Sequence, residues 1–198
     1  MSIFQAPQRL ATDAFVIRPY ATGDAEELGA ATVASYEHLK TYMPWANPTQ
    51  SLEVSEALVE KFMGDYTEGA DFVLGIWAPG EVRLLGGTGF HLREGGLTHG
   101  SAEVGMWIRS SHAGQGFGTS VLRALVRWAF TDWPWYRLAW RCNVENIASV
   151  RCAEAAGFTR EGTERGQHDP MTGGRRDLAC FSLLKPERGA AHTTADER

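Results

Sequence analysis

Three glycines in five residues, Gly114-Gln115-Gly116-Phe117-Gly118, separate two segments of different texture. Residues 101–109 alternate like a strand, and residues 119–130 carry Val121, Leu122, Leu125, Val126 and Ala129 at helical spacing. The order is strand, glycine loop, helix. Such glycines let the backbone turn tightly with several N–H groups pointing one way, and at a helix N-terminus those donors favour an anion. A pyrophosphate suits that arrangement; a ligand-free strand-to-helix turn would read the same way. A Walker-type phosphate loop is excluded, because Gly118 rather than lysine precedes Thr119.

What precedes the loop also argues against a dinucleotide fold. Residues 72–77, 83–93 and 101–109 read as three strands, broken at Pro79-Gly80 and Glu94-Gly95-Gly96, so an antiparallel meander leads into the glycines. Upstream, residues 14–20 read as a strand ended by Pro19. Thr22-Gly23-Asp24 then opens a helix to about Lys40, with Leu28, Ala31 and Val33 apolar. Two prolines make residues 42–48 a loop, and Ser51 starts a second helix to about Glu68, with Leu58, Val59 and Phe62 on one side. Downstream come a strand at 136–142, a helix at 146–156 stopped by Gly157, and closing strands at 158–165 and 178–184. There is no internal repeat; the expectation is one domain over residues 1–186 and a polar, disordered tail over 187–198.

Composition narrows the function. The 198 residues are 43% hydrophobic, enough for a core, yet no apolar run approaches the roughly 20 residues of a membrane helix. The first residues lack the order of a secretory signal, and a cytoplasmic protein without membrane attachment is expected. Three cysteines without a C-x-x-C pair and six scattered histidines suggest neither a disulfide framework nor a metal. A net charge of −5, with no lysine- or arginine-rich patch before the last third of the chain, argues against nucleic acid as the main partner.

Two further places carry polar chemistry. In Arg141-Cys142-Asn143-Val144-Glu145-Asn146-Ile147-Ala148-Ser149, Asn146 sits three residues before Ser149 at the start of a helix. It reads either as an N-cap or as a polar group reaching a ligand. Glu103, Gly105 and Trp107 share one strand face, with Val104, Met106 and Ile108 on the other. Within an apolar strand, a carboxylate is paired, solvated or functional.

Taken together, SAEVGMWIRSSHAGQGFGTSVLRALVRWAF and RCNVENIASVRCAEAAGFTREGTERG, followed by a terminal strand with Asp177, resemble the Gcn5-related N-acetyltransferase (GNAT) superfamily, in its RimJ/RimL-like branch. The resemblance runs from about Phe15 to Lys185. It implies an α/β (α+β) fold: a mixed, mostly antiparallel seven-stranded sheet with splayed central strands, flanked by about four helices. It further implies acetyl-CoA as co-substrate, a primary amine as acceptor, and a homodimer. Trp107, Ile108 and Arg109 would pair their main chain with the pantetheine arm, and Asn146 would bind that arm from the other side. Gly114, Gln115, Gly116, Phe117, Gly118 and Thr119 would hold the pyrophosphate.

For catalysis, the resemblance makes Glu103 the general base for direct amine attack on the thioester, and Ser149 the acid for the departing thiolate. Trp45 falls where this branch places substrate-facing aromatic residues, although a hydrophobic plug would look the same. The chain departs from the family at Ala113, where Arg or Gln is usual, and at Ala153, where many relatives carry the acidic tyrosine. The implied function is acyl transfer to a peptide or protein N-terminal α-amine. Transfer to an aminoglycoside, polyamine or amino-acid derivative is the second reading, and a non-catalytic acyl-CoA-binding module the third.

Overall fold

A computed structural model describes residues 4–93 and 95–185. The tail expected over residues 187–198 lies outside the described residues. The chain forms two compact units, one of Met1–His91 with Gly105–Gln115, the other of Leu92–Val104 with Gly116–Arg198.

In the first unit, β1 (Leu10–Ala11), β2 (Val16–Pro19), β3 (Phe72–Trp77) and β4 (Leu84–His91) pair antiparallel in chain order. The turn at Pro79-Gly80 joins β3 to β4, and beyond a one-residue register shift between Ile76 and Trp77 the pairing sets Phe72 opposite Phe90 and Gly75 opposite Gly87. Between β2 and β3 lie a 3-10 turn (Thr22–Asp24), α1 (Ala25–Ala34), α2 (Tyr36–Leu39) and α3 (Leu52–Glu68). Ser51 caps α3 by accepting a hydrogen bond from Val54 N on its side chain, and Gly69 ends it in the left-handed region. Leu28, Ala31 and Val59 pack with Val16, Tyr20, Trp77 and Leu84, and Leu58, Phe62 and Trp107 lie against them.

The helix expected to run to Lys40 is interrupted at Ser35, whose φ of −107° and ψ of 4° are not helical. There the Ser35 Oγ accepts a hydrogen bond from Ser110 N at 3.1 Å. Val33, placed on the apolar side by spacing alone, is exposed.

In the second unit, α4 (Gly96–His99) is a single turn at the expected Gly95-Gly96 break. The long amphipathic run forms α5 (Phe117–Thr131), with Val121, Leu122, Leu125, Val126 and Ala129 all buried. Then follow β6 (Arg137–Asn143), α6 (Ile147–Ala155), β7 (Thr159–His168) and β8 (Arg175–Leu184). β8 lies between β6 and β7, antiparallel to both. Arg123 of α5 donates two hydrogen bonds to the Ala155 carbonyl, fixing the C-terminal end of α6 against α5.

One strand, β5 (Ser101–Ile108), runs through both units. Its first residues pair parallel with β6, Ser101 opposite Arg137 and Glu103 opposite Ala139. Farther along, Arg109 N donates to Leu85 O of β4 at 2.7 Å. Among the described residues the sheet therefore has eight strands in the order β1-β2-β3-β4-β5-β6-β8-β7, antiparallel except at β5–β6. The strand additional to the expected seven is the two-residue β1, too short for an alternating pattern.

Candidate active site

β4 reads Leu-Leu-Gly-Gly-Thr-Gly-Phe-His, and its glycines admit β5. A Cβ on Gly86 would stand 2.2 Å from the Trp107 carbonyl oxygen, and one on Gly87 would stand 2.3 Å from Trp107 Nε1. Any larger residue would push the strand or the indole away. Trp107 also meets Trp45 edge to face, with ring centroids 5.7 Å apart. Trp45 is 47% exposed, so it walls a surface rather than plugging a core.

Main-chain direction alternates along β5. Arg109 N is directed to β4, and the Thr88 hydroxyl donates to Gly105 O. Gly105, Trp107 and Arg109 therefore turn their main chain towards β4, while Met106 and Ile108 turn theirs away. Of the three residues expected to pair with a pantetheine arm, only Ile108 points its N–H and C=O off the β4 side; Met106, not singled out from sequence, shares that direction. The Arg109 side chain is buried and donates to Glu27 Oε1 at 2.7 Å and to Leu84 O at 3.0 Å. It is a brace between α1 and β4.

Gly114 and Gly116 adopt φ of 75° and 78°, the left-handed region that only glycine enters without strain. Gln115 is exposed beside Gly114. Gly116 is the N-cap of α5, which Phe117 opens; the first bond back to the cap runs from Ser120 N to Gly116 O at 3.1 Å. Gly118 and Thr119 precede that bond, so their N–H groups belong to the helix's unpaired first turn. Among the described residues, and apart from each glycine's own chain neighbours, no heavy atom lies within 4 Å of a Cβ built on Gly114 or Gly116. Open space and amide donors at the positive end of a fifteen-residue helix fit the diphosphate of a coenzyme A.

Asn146 and Ser149 come together as expected. Asn146 Oδ1 accepts from Ser149 N at 3.1 Å, which makes it the cap of α6 and leaves its amide NH2 for another acceptor. Trp140 Nε1 donates to Ser149 Oγ at 3.0 Å. Ala153 is fully buried. Burial pushes the Cys152 thiol above its usual range, with a hydrogen bond to Thr119 opposing it, so little reactive thiolate forms.

Glu103 is buried at 7% exposure, and its carboxylate is occupied. Arg93 Nη1 donates to Oε1 at 2.7 Å; Arg141 Nε and Nη2 donate to Oε2 at 2.8 and 2.6 Å. Burial works against the Arg141 charge, but its hydrogen bonds to Glu103 outweigh that and hold the guanidinium above its ordinary pKa. Separations of 10 and 38 residues hide these partners in the sequence.

One polar pair was missed altogether. His91 Nδ1 lies 2.8 Å from Asp71 Oδ2. Its signal was the β3–β4 hairpin: extending the Phe72–Phe90 register by one residue sets Asp71 opposite His91. Among the described residues, no group of three or more His, Cys, Asp or Glu is placed to hold a metal, and no helix is long and apolar enough to cross a membrane.

Known proteins resemble this chain in sequence and in fold. The acetyltransferase (GNAT) domain family matches residues 15–159. The N-acetyltransferase YoaA of Bacillus subtilis (strain 168), itself uncharacterised, is 28% identical over 177 residues, 89% of this chain and 97% of its own. YdaF of the same organism, whose name proposes a ribosomal N-acetyltransferase, is 28% identical over 166 residues, 83% of this chain and 87% of its own. In fold, the chain matches RimL, a ribosomal L7/L12 α-N-protein acetyltransferase in complex with coenzyme A, at a TM-score of 0.78 and 21% identity. That match covers 87% of this chain and 95% of RimL. With a family match over most of its length, glycine loop included, the chain belongs to the GNAT family of N-acetyltransferases.

Proposed function

We propose that this protein transfers an acetyl group from acetyl-CoA to the α-amine of a peptide or protein N-terminus in the cytoplasm, as a homodimer. The observation that carries the acceptor reading is the exposed aromatic corner of Trp45 on Trp107, a surface an extended peptide can lie against. The name of YdaF and the substrate of RimL point the same way. On the donor side, the α5 N-terminus with Gly114, Gln115, Gly116, Phe117, Gly118 and Thr119 takes the diphosphate. The Ile108 main chain and the Asn146 amide take the pantetheine arm.

The amine lone pair attacks the thioester carbon, a tetrahedral intermediate forms, and the C–S bond breaks. An α-amine has a pKa near 7.7–8.0, against about 10.4 for lysine, so a modest base suffices. Ser149 is the group proposed to protonate the thiolate: its oxygen accepts from Trp140, and its hydroxyl, also hydrogen-bonded to the Cys142 thiol, would have to turn its hydrogen to the departing sulfur. Near-normal turnover of Ser149→Ala would remove it from the mechanism. Glu103 can act as base only by giving up the ion pairs on its carboxylate. Its place in the proposal is the anchor of Arg93 and Arg141, with base action tested by Glu103→Gln.

The test is mass-spectrometric detection of acetyl transfer from acetyl-CoA to peptides, polyamines and aminoglycosides. Transfer to peptide N-termini supports the proposal. Transfer confined to small amines keeps the enzyme and discards the peptide acceptor. Acetyl-CoA binding without transfer to any amine speaks for the non-catalytic module.

A further inference from the structure

The imidazole of His91 lies across two glycines. A Cβ on Gly105 would stand 2.6 Å from His91 Nε2, and one on Gly89 would stand 3.5 Å from Cε1. The ring occupies the place where β5 and β4 lack side chains. Its other nitrogen is held by Asp71 Oδ2 at 2.8 Å, and the two side chains are 25% and 28% exposed. The pair is thus neither a sealed core contact nor a freely solvated one. The other Asp71 oxygen, Oδ1, is buried without a hydrogen-bond partner among the described residues.

A carboxylate on Nδ1 selects the tautomer with hydrogen on Nδ1, and so leaves a lone pair on Nε2. That lone pair sits at Gly105, two residues before Trp107, the tryptophan that Trp45 meets. Asp71 faces the ring at the β3 end, and Lys61 of α3 interacts in turn with Asp71. β5 presents the uncharged Gly105, with Glu103 two positions earlier in the strand.

We propose that His91 is the general base of this enzyme, taking the acceptor amine's proton on Nε2, with Asp71 as its positioning residue. This rests on the acyl-transfer reading above and names a base that reading left open. In the step, the nitrogen lone pair forms the C–N bond and the carbonyl π pair moves to oxygen. The proton leaves nitrogen for His91 Nε2. The oxygen pair returns as the C–S bond breaks, and its electrons leave on sulfur. The thiolate then takes a proton and the imidazolium releases one, so no charge is left over.

The test is kcat/KM against pH for the wild type, His91→Gln, Asp71→Asn and Glu103→Gln, with acetyl-CoA and the best peptide acceptor. His91→Gln is expected to lose about 10²-fold in kcat, the lower range for a general base. It should also lose the fall in rate on the acid side while keeping the rise in melting temperature given by acetyl-CoA. Asp71→Asn keeps a hydrogen bond but favours the wrong tautomer, and should lower kcat with little change in acceptor KM. Added imidazole should restore turnover to His91→Ala, which a purely structural histidine would not allow. An active wild type with His91→Gln matching its rate and pH profile overturns the His91 assignment alone. A wild type that acetylates no amine overturns the acyl-transfer reading and this proposal with it.

Discussion

Glu103 shows how much a single carboxylate's partners decide. Removing its charge leaves Arg93 and Arg141 facing an amide at a buried position, and a charged hydrogen bond of this kind contributes about 1.5–3 kcal/mol. Glu103→Gln should lower stability by about that much in chemical denaturation while its kcat/KM–pH profile keeps the wild-type shape. A lost acid limb in that variant would return the base to Glu103. Glu161 makes a separate, pH-dependent contribution. Its hydrogen bonds from Arg137 hold its pKa down at about 2, with the Ser182 hydroxyl helping. A folded-state pKa below the unfolded value near 4.3 means that the stabilisation is present at neutral pH and lost as pH falls towards 2. The group is 43% exposed, so Glu161→Gln should cost at most about 1 kcal/mol at pH 7. The gap to wild type should close between about pH 4 and pH 2 in urea melts. Neither network was legible in the sequence, where a carboxylate and the arginine it meets can stand anywhere apart. The Asn146–Ser149 cap was legible, because a capping pair is local by construction.

Elements followed the same division between local and distant causes. α5 was readable because its apolar period and its glycine cap lie within one stretch of chain. The split between α1 and α2 was not, because Ser35 is engaged by Ser110, 75 residues away. Glycines inside a strand leave it without side chains to pack, but in β4 they are the condition for the approach of β5. Gly86→Ala sets a methyl group against backbone rather than a movable side chain, and should destabilise by about 1–3 kcal/mol, as overpacking does. Because the displaced group is the Trp107 carbonyl, the variant should also lose the edge-to-face contact of Trp107 with Trp45. A fall in tryptophan near-ultraviolet circular dichroism would report it. Unchanged stability would mean that β5 yields without cost.

For the whole molecule, the division into two units could not be read from periodicity, because β5 is one alternating run that serves both. Periodicity reports which face a residue takes, not which neighbours the two halves of a strand acquire. Family membership was legible because it rests on order and spacing, and those survive where side chains differ. Ala113 stands where the resemblance implies Arg or Gln: it offers no side-chain donor, while the amide donors of the loop remain. The diphosphate should therefore still dominate donor binding. Acetyl-CoA at about 100 times its Kd stabilises a native protein by about 2.7 kcal/mol, which for a chain of this length is a rise of roughly 5–10 °C in Tm. Acetyl-pantetheine keeps the thioester and lacks the diphosphate, so at equal concentration it should give a small fraction of that rise in a thermal scan. Gly116→Ala, forced from a φ of 78°, should bring the acetyl-CoA response down towards the pantetheine one. Equal responses to the two ligands would mean that the glycine loop holds no diphosphate, and would move recognition of the donor to its thioester end.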